Sequence, residues 1–223
     1  MTGSVLVTGA STGIGEATAR RMKAAGWEVF AAARKDGDLE RLRGEGLTPL
    51  KLDVTDAGSI AAAKAEVGGR KLHGLVNNAG VAVSGPIEHV PLDELRRQLE
   101  VNLVGQVAVI QAFLPNIREA KGRIVNVSSI GGRIALPLVG PYAASKVGLE
   151  AVSDSLRREL RPWGIHVSVI EPGAVVTPIW EKGARDRRPA RGRDGRAIAV
   201  AVRQARAAHP RGDGEDPGAR RRS

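Results

Sequence analysis

Tyr142, the only tyrosine of the 223-residue chain, stands four positions before Lys146 in Pro141-Tyr142-Ala143-Ala144-Ser145-Lys146. In a helix that interval places a phenol and an ammonium on one face. An unperturbed phenol loses its proton near pH ~10. A neighbouring positive charge favours the phenolate and is expected to bring the Tyr142 pKa down, toward the pH at which general acid-base catalysis is efficient. The pair alone also suits a solvated helix face, so its chemistry depends on what the chain sets around it.

A second constellation lies near the start. Thr8-Gly9-Ala10-Ser11-Thr12-Gly13-Ile14-Gly15 directly follows a short apolar run and opens a helical pattern. Glycines there let backbone approach a pyrophosphate, and a helix N-terminus supplies free amides and positive dipole. This is the context of a dinucleotide site, although the glycine spacing differs from the common G-x-G-x-x-G. The four histidines, His73, His89, His166 and His209, are scattered without ligand spacing, and cysteine is absent. Metal catalysis and disulfides are therefore not expected.

These groups need a scaffold. Apolar runs at Val5 to Thr8, Glu28 to Ala33, Leu47 to Leu52, Leu72 to Val76, Arg123 to Val127 and His166 to Ile170 alternate with helical patterns. The helices are predicted at Ile14 to Ala25, Asp38 to Arg43, Ser59 to Val67, Leu92 to Ile117 and Tyr142 to Arg161. Such alternation predicts an α/β fold, a doubly wound parallel sheet covered on both faces. Pro141 suits a first helical turn and Pro162 a stop, so the Tyr142 helix is punctuated at both ends.

The glycine turn resembles the T-G-x-x-x-G-x-G of the short-chain dehydrogenase/reductase family, and further landmarks follow in that family's order. Asn77-Asn78-Ala79-Gly80 is similar to its N-N-A-G after the fourth strand. Asn102, Ser128-Ser129 and the Tyr142/Lys146 pair come next. Pro172-Gly173 with Thr177 is similar to its P-G-x-x-x-T. The resemblance covers about Ser4 to Lys182 and implies a Rossmann-like oxidoreductase domain over residues 1–182, with six strands and the usual seventh missing.

By that resemblance Tyr142 is the proton donor, Lys146 holds the nicotinamide ribose, Ser129 stabilises the substrate oxygen and Asn102 positions relay water. Ser129 is preferred to Ser128 because it lies 13 residues before Tyr142, the family interval. The implied cofactor contacts are Gly9, Ser11, Thr12, Gly13, Ile14 and Gly15 in the turn, and Arg34, Asp53 and Val54 at the adenosine end. Asn78, Ala79 and Gly80 follow, then Tyr142 and Lys146, with Pro172, Gly173, Val175 and Thr177 toward the nicotinamide. Arg34, after the second strand, can clamp a 2′-phosphate with its fork of donors, which favours NADP. Asp36 lies 21 residues after Gly15, near the usual interval for a ribose-binding acid, and keeps NAD open. The apolar stretch from Ile130 to Val139, with Ile179 and Trp180, predicts a small hydrophobic carbonyl or alcohol as substrate.

The formal net charge of +10 would ordinarily suggest nucleic acid. However, Met1 to Lys182 carries 22 Lys or Arg against 19 acids, whereas Gly183 to Ser223 carries 12 Arg against 5 acids. The basicity thus belongs mainly to residues 183–223, a stretch without Lys, Leu or aromatic residues and expected to pack poorly. It has no Phe, Trp or Tyr for base stacking, so nucleic acid is not the expected partner. The abrupt change suggests that the reading frame departs from its ancestor near Ala184, and with it an impaired turnover; a genuine basic interaction tail is the competing account. With its first strand predicted from Val5 and no long apolar run, the chain is expected to be cytoplasmic and not membrane-bound. Homodimerisation through the two long helices is the expectation that the resemblance adds.

Overall fold

The computed structural model describes residues 3–175, 177, 179 and 180. The stretch 183–223, and any position for a seventh strand after it, lies outside the described residues. Six strands, β1 (Ser4–Val7), β2 (Glu28–Ala33), β3 (Thr48–Lys51), β4 (Gly74–Asn77), β5 (Arg123–Val127) and β6 (His166–Ile170), form one parallel sheet in the order β3-β2-β1-β4-β5-β6. Val5 pairs with Val29 and Gly74, and Leu6 with Phe30 and Leu75. The chain runs outward from β1 to β3, then returns past β1 to β4. The crevice outside the carboxyl ends of β1 and β4 is therefore the topological switch point, where such sheets take ligands.

Alternation along each strand divides the core into two layers. Leu6, Phe30, Ala32 and Leu50 pack with Ile60 and Ala63 of α3 (Ala57–Val67) and with Val109 and Phe113 of α5 (Gly105–Ala120). Val5, Val7, Val29, Ala31 and Ala33 pack on the other face with Ala19 of α1 (Gly13–Ala24) and Leu42 of α2 (Asp36–Gly44). Phe30 and Phe113 are fully buried, and each contributes about 1.5–3 kcal/mol by leaving water.

Local chemistry sets the helix ends. The Asp56 carboxylate accepts the amides of Gly58 and Ser59 at 2.8 and 3.1 Å, capping α3, and Gly68 ends it with φ near +61°. In α6 (Gly140–Glu159) Pro141 occupies the first turn, where its missing N–H costs nothing. The predicted single helix from Leu92 to Ile117 is corrected. It consists of α4 (Leu92–Leu99), a π turn over Glu100–Val104, and α5. Hydropathy does not register the extra backbone residue of a π turn, a device that concentrates at functional sites; here Asn102 sits within it.

Candidate active site

The glycine turn is built against the end of β4. Thr8 donates its amide to the Val76 carbonyl, and its hydroxyl accepts the amides of Asn78 and Ala79 at 2.9 and 3.0 Å. Asn78 returns its side-chain amide to the carbonyls of Thr8 and Gly9 at 2.9 and 3.3 Å. A Cβ on Gly15 would stand 2.3 Å from Asn78 Nδ2 and 2.4 Å from the Gly9 oxygen. Gly9 and Gly15 are thus small because protein fills the space beside them. Gly9 and Gly13 also hold φ of +64° and +62°, a conformation glycine adopts without strain. Beyond the turn, Arg41 of α2 donates to the Ser11 carbonyl at 2.7 Å and pairs with Glu16 and Glu45 at 2.6 and 2.9 Å, tying α1 to α2.

A cleft of about 110 Å³ opens beside this turn. Ile14, Asn78 and Gly80 line it from the β1 and β4 side. Ser129, Tyr142 and Lys146 line it from β5 and α6, and Pro172, Gly173, Val175 and Thr177 from the segment after β6. Gly9, Ser11, Thr12, Gly13, Gly15 and Ala79 do not line it. Tyr142 is buried, and Trp180 tilts against its ring with centroids 5.3 Å apart. Ile179 completes this apolar wall. Lys146 is buried, donates to the Val127 carbonyl at 2.8 Å and lies 5.8 Å from the Tyr142 ring centre.

The electrostatics correct one expectation. Tyr142 was expected below the ordinary phenol value; instead burial holds it above, and the neighbouring Ser129 hydroxyl only partly offsets this. Lys146 is affected in turn: burial pulls it down to about 8, with Glu150 opposing. Desolvation disfavours both charged forms, and the ammonium is spent on a backbone carbonyl. At neutral pH the site holds a protonated phenol beside an ammonium close to its own midpoint.

Asn102 does not line the cleft. Its amide oxygen accepts the Val81 N–H at 2.9 Å, while its nitrogen donates to the Val81 carbonyl at 2.9 Å and to Ser145 Oγ at 3.1 Å. Ser145 in turn donates to the Tyr142 carbonyl at 2.7 Å. The buried amide therefore links the segment after β4 to the turn of α6 that carries the phenol. Asn102→Ala leaves these buried partners unmet and is expected to lower stability by about 3 kcal/mol, which chemical denaturation measures.

At the other end of the crevice, Arg34 and Asp53 share a separate cavity of about 440 Å³ with Lys51. Arg34 is 3.7 Å from Asp53. Burial raises the Asp53 pKa, but the Thr55 amide and hydroxyl and the Arg34 charge outweigh it and leave the carboxyl below its usual range. Asp53 thus spends one oxygen on Thr55, at 3.0 and 2.8 Å. Asp36 is neutralised by Lys51 at 2.8 Å. Val54 is buried, its carbonyl 2.5 Å from where a Gly105 Cβ would stand.

Sequence reasoning quoted Thr8, Asn77 and Ser145 within their motifs without giving them a role, and passed over a buried amide ladder in which Asn77 donates to the Gln106 carbonyl and to Asn126, and Asn126 to Ser153. The partners Gln106, Asn126 and Ser153 carry no signal in type or spacing until the fold brings them together. Among the described residues no group of three His, Cys, Asp or Glu could hold a metal ion, and no helix is long and apolar enough to cross a membrane.

Fold and cleft together match a known family. The family described as short chain dehydrogenase matches residues 4–188. A 3-amino-tetrahydro-pyrrolizinone reductase of Xenorhabdus hominickii is 43% identical over 184 residues, 80% of this chain and 64% of that protein. An NADPH-dependent 3-dehydrocapnine reductase of Ornithobacterium rhinotracheale is 42% identical over 79% of this chain and 67% of its own. Retinol dehydrogenase 16 of Mus musculus is 44% identical over 78% of this chain and 57% of its own. The chain thus spans about three fifths to two thirds of these relatives' lengths. A crystal structure of a short-chain dehydrogenase/reductase from Burkholderia phymatum in complex with NAD aligns with a TM-score of 0.80 at 28% identity, over 92% of this chain and 78% of its own. The chain belongs to the short-chain dehydrogenase family.

Proposed function

We propose that the chain binds NADP(H) along the crevice and reduces a small hydrophobic carbonyl, or oxidises the matching alcohol, with Tyr142 as proton donor and acceptor. The observation that carries this reading is the convergence, in one cleft, of the lone phenol, a buried ammonium, the Ser129 hydroxyl and Ile14 from the opening turn of α1. The residues present fit a dinucleotide. Helix-start amides suit its pyrophosphate, Arg34 suits a 2′-phosphate, and Lys146 suits ribose hydroxyls; Asn78, Ala79, Gly80, Pro172, Gly173, Val175 and Thr177 complete the proposed contacts.

When bound, the reduced nicotinamide supplies a hydride to the carbonyl carbon. The Tyr142 hydroxyl donates its proton to the carbonyl oxygen, and Ser129 hydrogen-bonds the same oxygen as negative charge develops there. Burial keeps the phenol protonated at neutral pH, the form that carbonyl reduction requires. Asn102, through Ser145, holds the backbone of Tyr142 in place.

The engagement of Asp36 by Lys51 in an exposed pair and the solvent-facing Arg34 support NADP over NAD. Arg34→Ser is expected to weaken NADPH binding by about ten- to a hundredfold and to leave NADH binding unchanged. Parallel fluorescence titrations of the two cofactors check this, and tighter binding of NADH by the unaltered chain would overturn the NADP assignment.

The half-exposed Val175 and Trp180 at the cleft mouth favour a second reading, a nucleotide-binding protein with little turnover. Cofactor binding without carbonyl-dependent NADPH oxidation across a substrate panel would select it. Homodimerisation through α5 and α6 remains part of the proposal; Val104 and Val147 offer exposed apolar surface for it.

A further inference from the structure

One carboxylate next to the cleft has no part in the chemistry above. Glu150 follows Lys146 by one turn of α6, and its side chain is 8% exposed. Its Oε1 has no hydrogen-bond partner, and neither has the buried hydroxyl of Ser128. A Cβ built on Gly132 would stand 2.7 Å from Ser128 Oγ and 3.1 Å from Glu150 Oε1, so both point at one spot beside Gly132, and Ser128 also lines the cleft. Oε2 lies 3.4 Å from Arg133, which is itself engaged by Glu171 at 2.9 Å.

A buried carboxylate with one oxygen unmet is costly unless an opposite charge stands near. Arg133 meets that need only from the surface, with its side chain half exposed; the buried cation on the same helical face is Lys146, four residues earlier, which is hydrogen-bonded to the uncharged Val127 carbonyl and feels the charge of Glu150 without a direct ion pair. Tyr142 shares the α6 face, Arg133 comes from the segment after β5, Glu171 follows β6, and Asp154 acts on Arg133 from the next turn of α6. The π turn presents Asn102 to Ser145 and Leu103 to Gly148.

We propose that Glu150 is a positioning residue, the counter-charge that keeps Lys146 protonated and thereby sets the pH range over which the cleft holds a dinucleotide. The inference rests on the reading of the cleft given above. Burial already brings Lys146 down to about 8 with Glu150 in place; loss of the negative charge lets the proton leave at lower pH. Arg133 competes with Lys146 for the same carboxylate, so its removal acts in the opposite direction.

The test is NADPH affinity, followed by fluorescence from neutral to alkaline pH, for the unaltered chain, Glu150→Gln and Arg133→Gln. In the unaltered chain affinity is expected to fall as pH rises through about 8. Glu150→Gln should move that midpoint down by about one pH unit, and Arg133→Gln should move it up. A carboxylate needed for packing alone would lower the melting temperature and leave the midpoint where it was. An unmoved midpoint in Glu150→Gln, with tight binding at neutral pH, overturns the inference and leaves the cofactor reading intact. If Glu150→Gln does not fold, the exposed Arg133 decides: an upward shift supports the inference and no shift overturns it. Failure of the unaltered chain to bind at any pH ends both.

Discussion

Tyr142→Phe is expected to lower carbonyl-dependent NADPH oxidation by about 10²- to 10⁴-fold, the range that positioned proton transfer contributes, and to leave NADPH affinity essentially unchanged. The substitution removes one oxygen and keeps the ring, so packing against Trp180 persists. The chain has no second tyrosine to substitute. Absolute rates should be low, since exposed Val175 and Trp180 leave the cleft mouth open to water; the ratio between the two proteins is what decides. Initial rates over a panel of hydrophobic aldehydes and ketones give that ratio, and equal rates would remove Tyr142 from the mechanism.

Gly15→Ala is the other large effect. Its methyl group would have to occupy space 2.3 Å from Asn78 Nδ2 and 2.4 Å from the Gly9 carbonyl. The side chain and backbone in the way also fasten the turn to β4 through Thr8. Relief requires opening that seam, at about 3 kcal/mol by the measure of overpacked sites. Dinucleotide affinity is expected to fall by more than about tenfold, equivalent to about 1.4 kcal/mol. Gly69→Ala serves as the control, because nothing lies within 4 Å of a Cβ there and it stands outside the cleft; its stability and cofactor affinity should match the unaltered chain. Thermal melts and cofactor titrations of the two variants separate these outcomes.

The sheet was legible because each strand is a short run rich in apolar residues, and the inner strands β1 and β2, buried on both faces, need no alternation to be found. The Tyr142/Lys146 pair was legible from spacing alone, since a helix converts an interval of four into a shared face. The direction of the Tyr142 pKa was not. Charge proximity can be read from sequence, but desolvation depends on Trp180 and on the depth of α6 against β5, which only the fold reveals. Asn102 was found by its interval, but its contacts were not legible, because a π turn, invisible to hydropathy, aims it at Val81 and Ser145. Arg34 and Asp53 were chosen as separate cofactor contacts and turn out to face each other. Glu150 escaped notice because a glutamate on a long helix ordinarily faces solvent.

With one tyrosine in the chain, near-ultraviolet phenolate absorbance reports Tyr142 without interference from another phenol. The free protein should titrate above the ordinary phenol value, as burial dictates. Saturation with NADP⁺, whose oxidised ring carries a positive charge, should draw that midpoint downward if the phenol stands beside the bound nucleotide. A curve that NADP⁺ leaves in place would put the hydroxyl away from the cofactor and contradict the account.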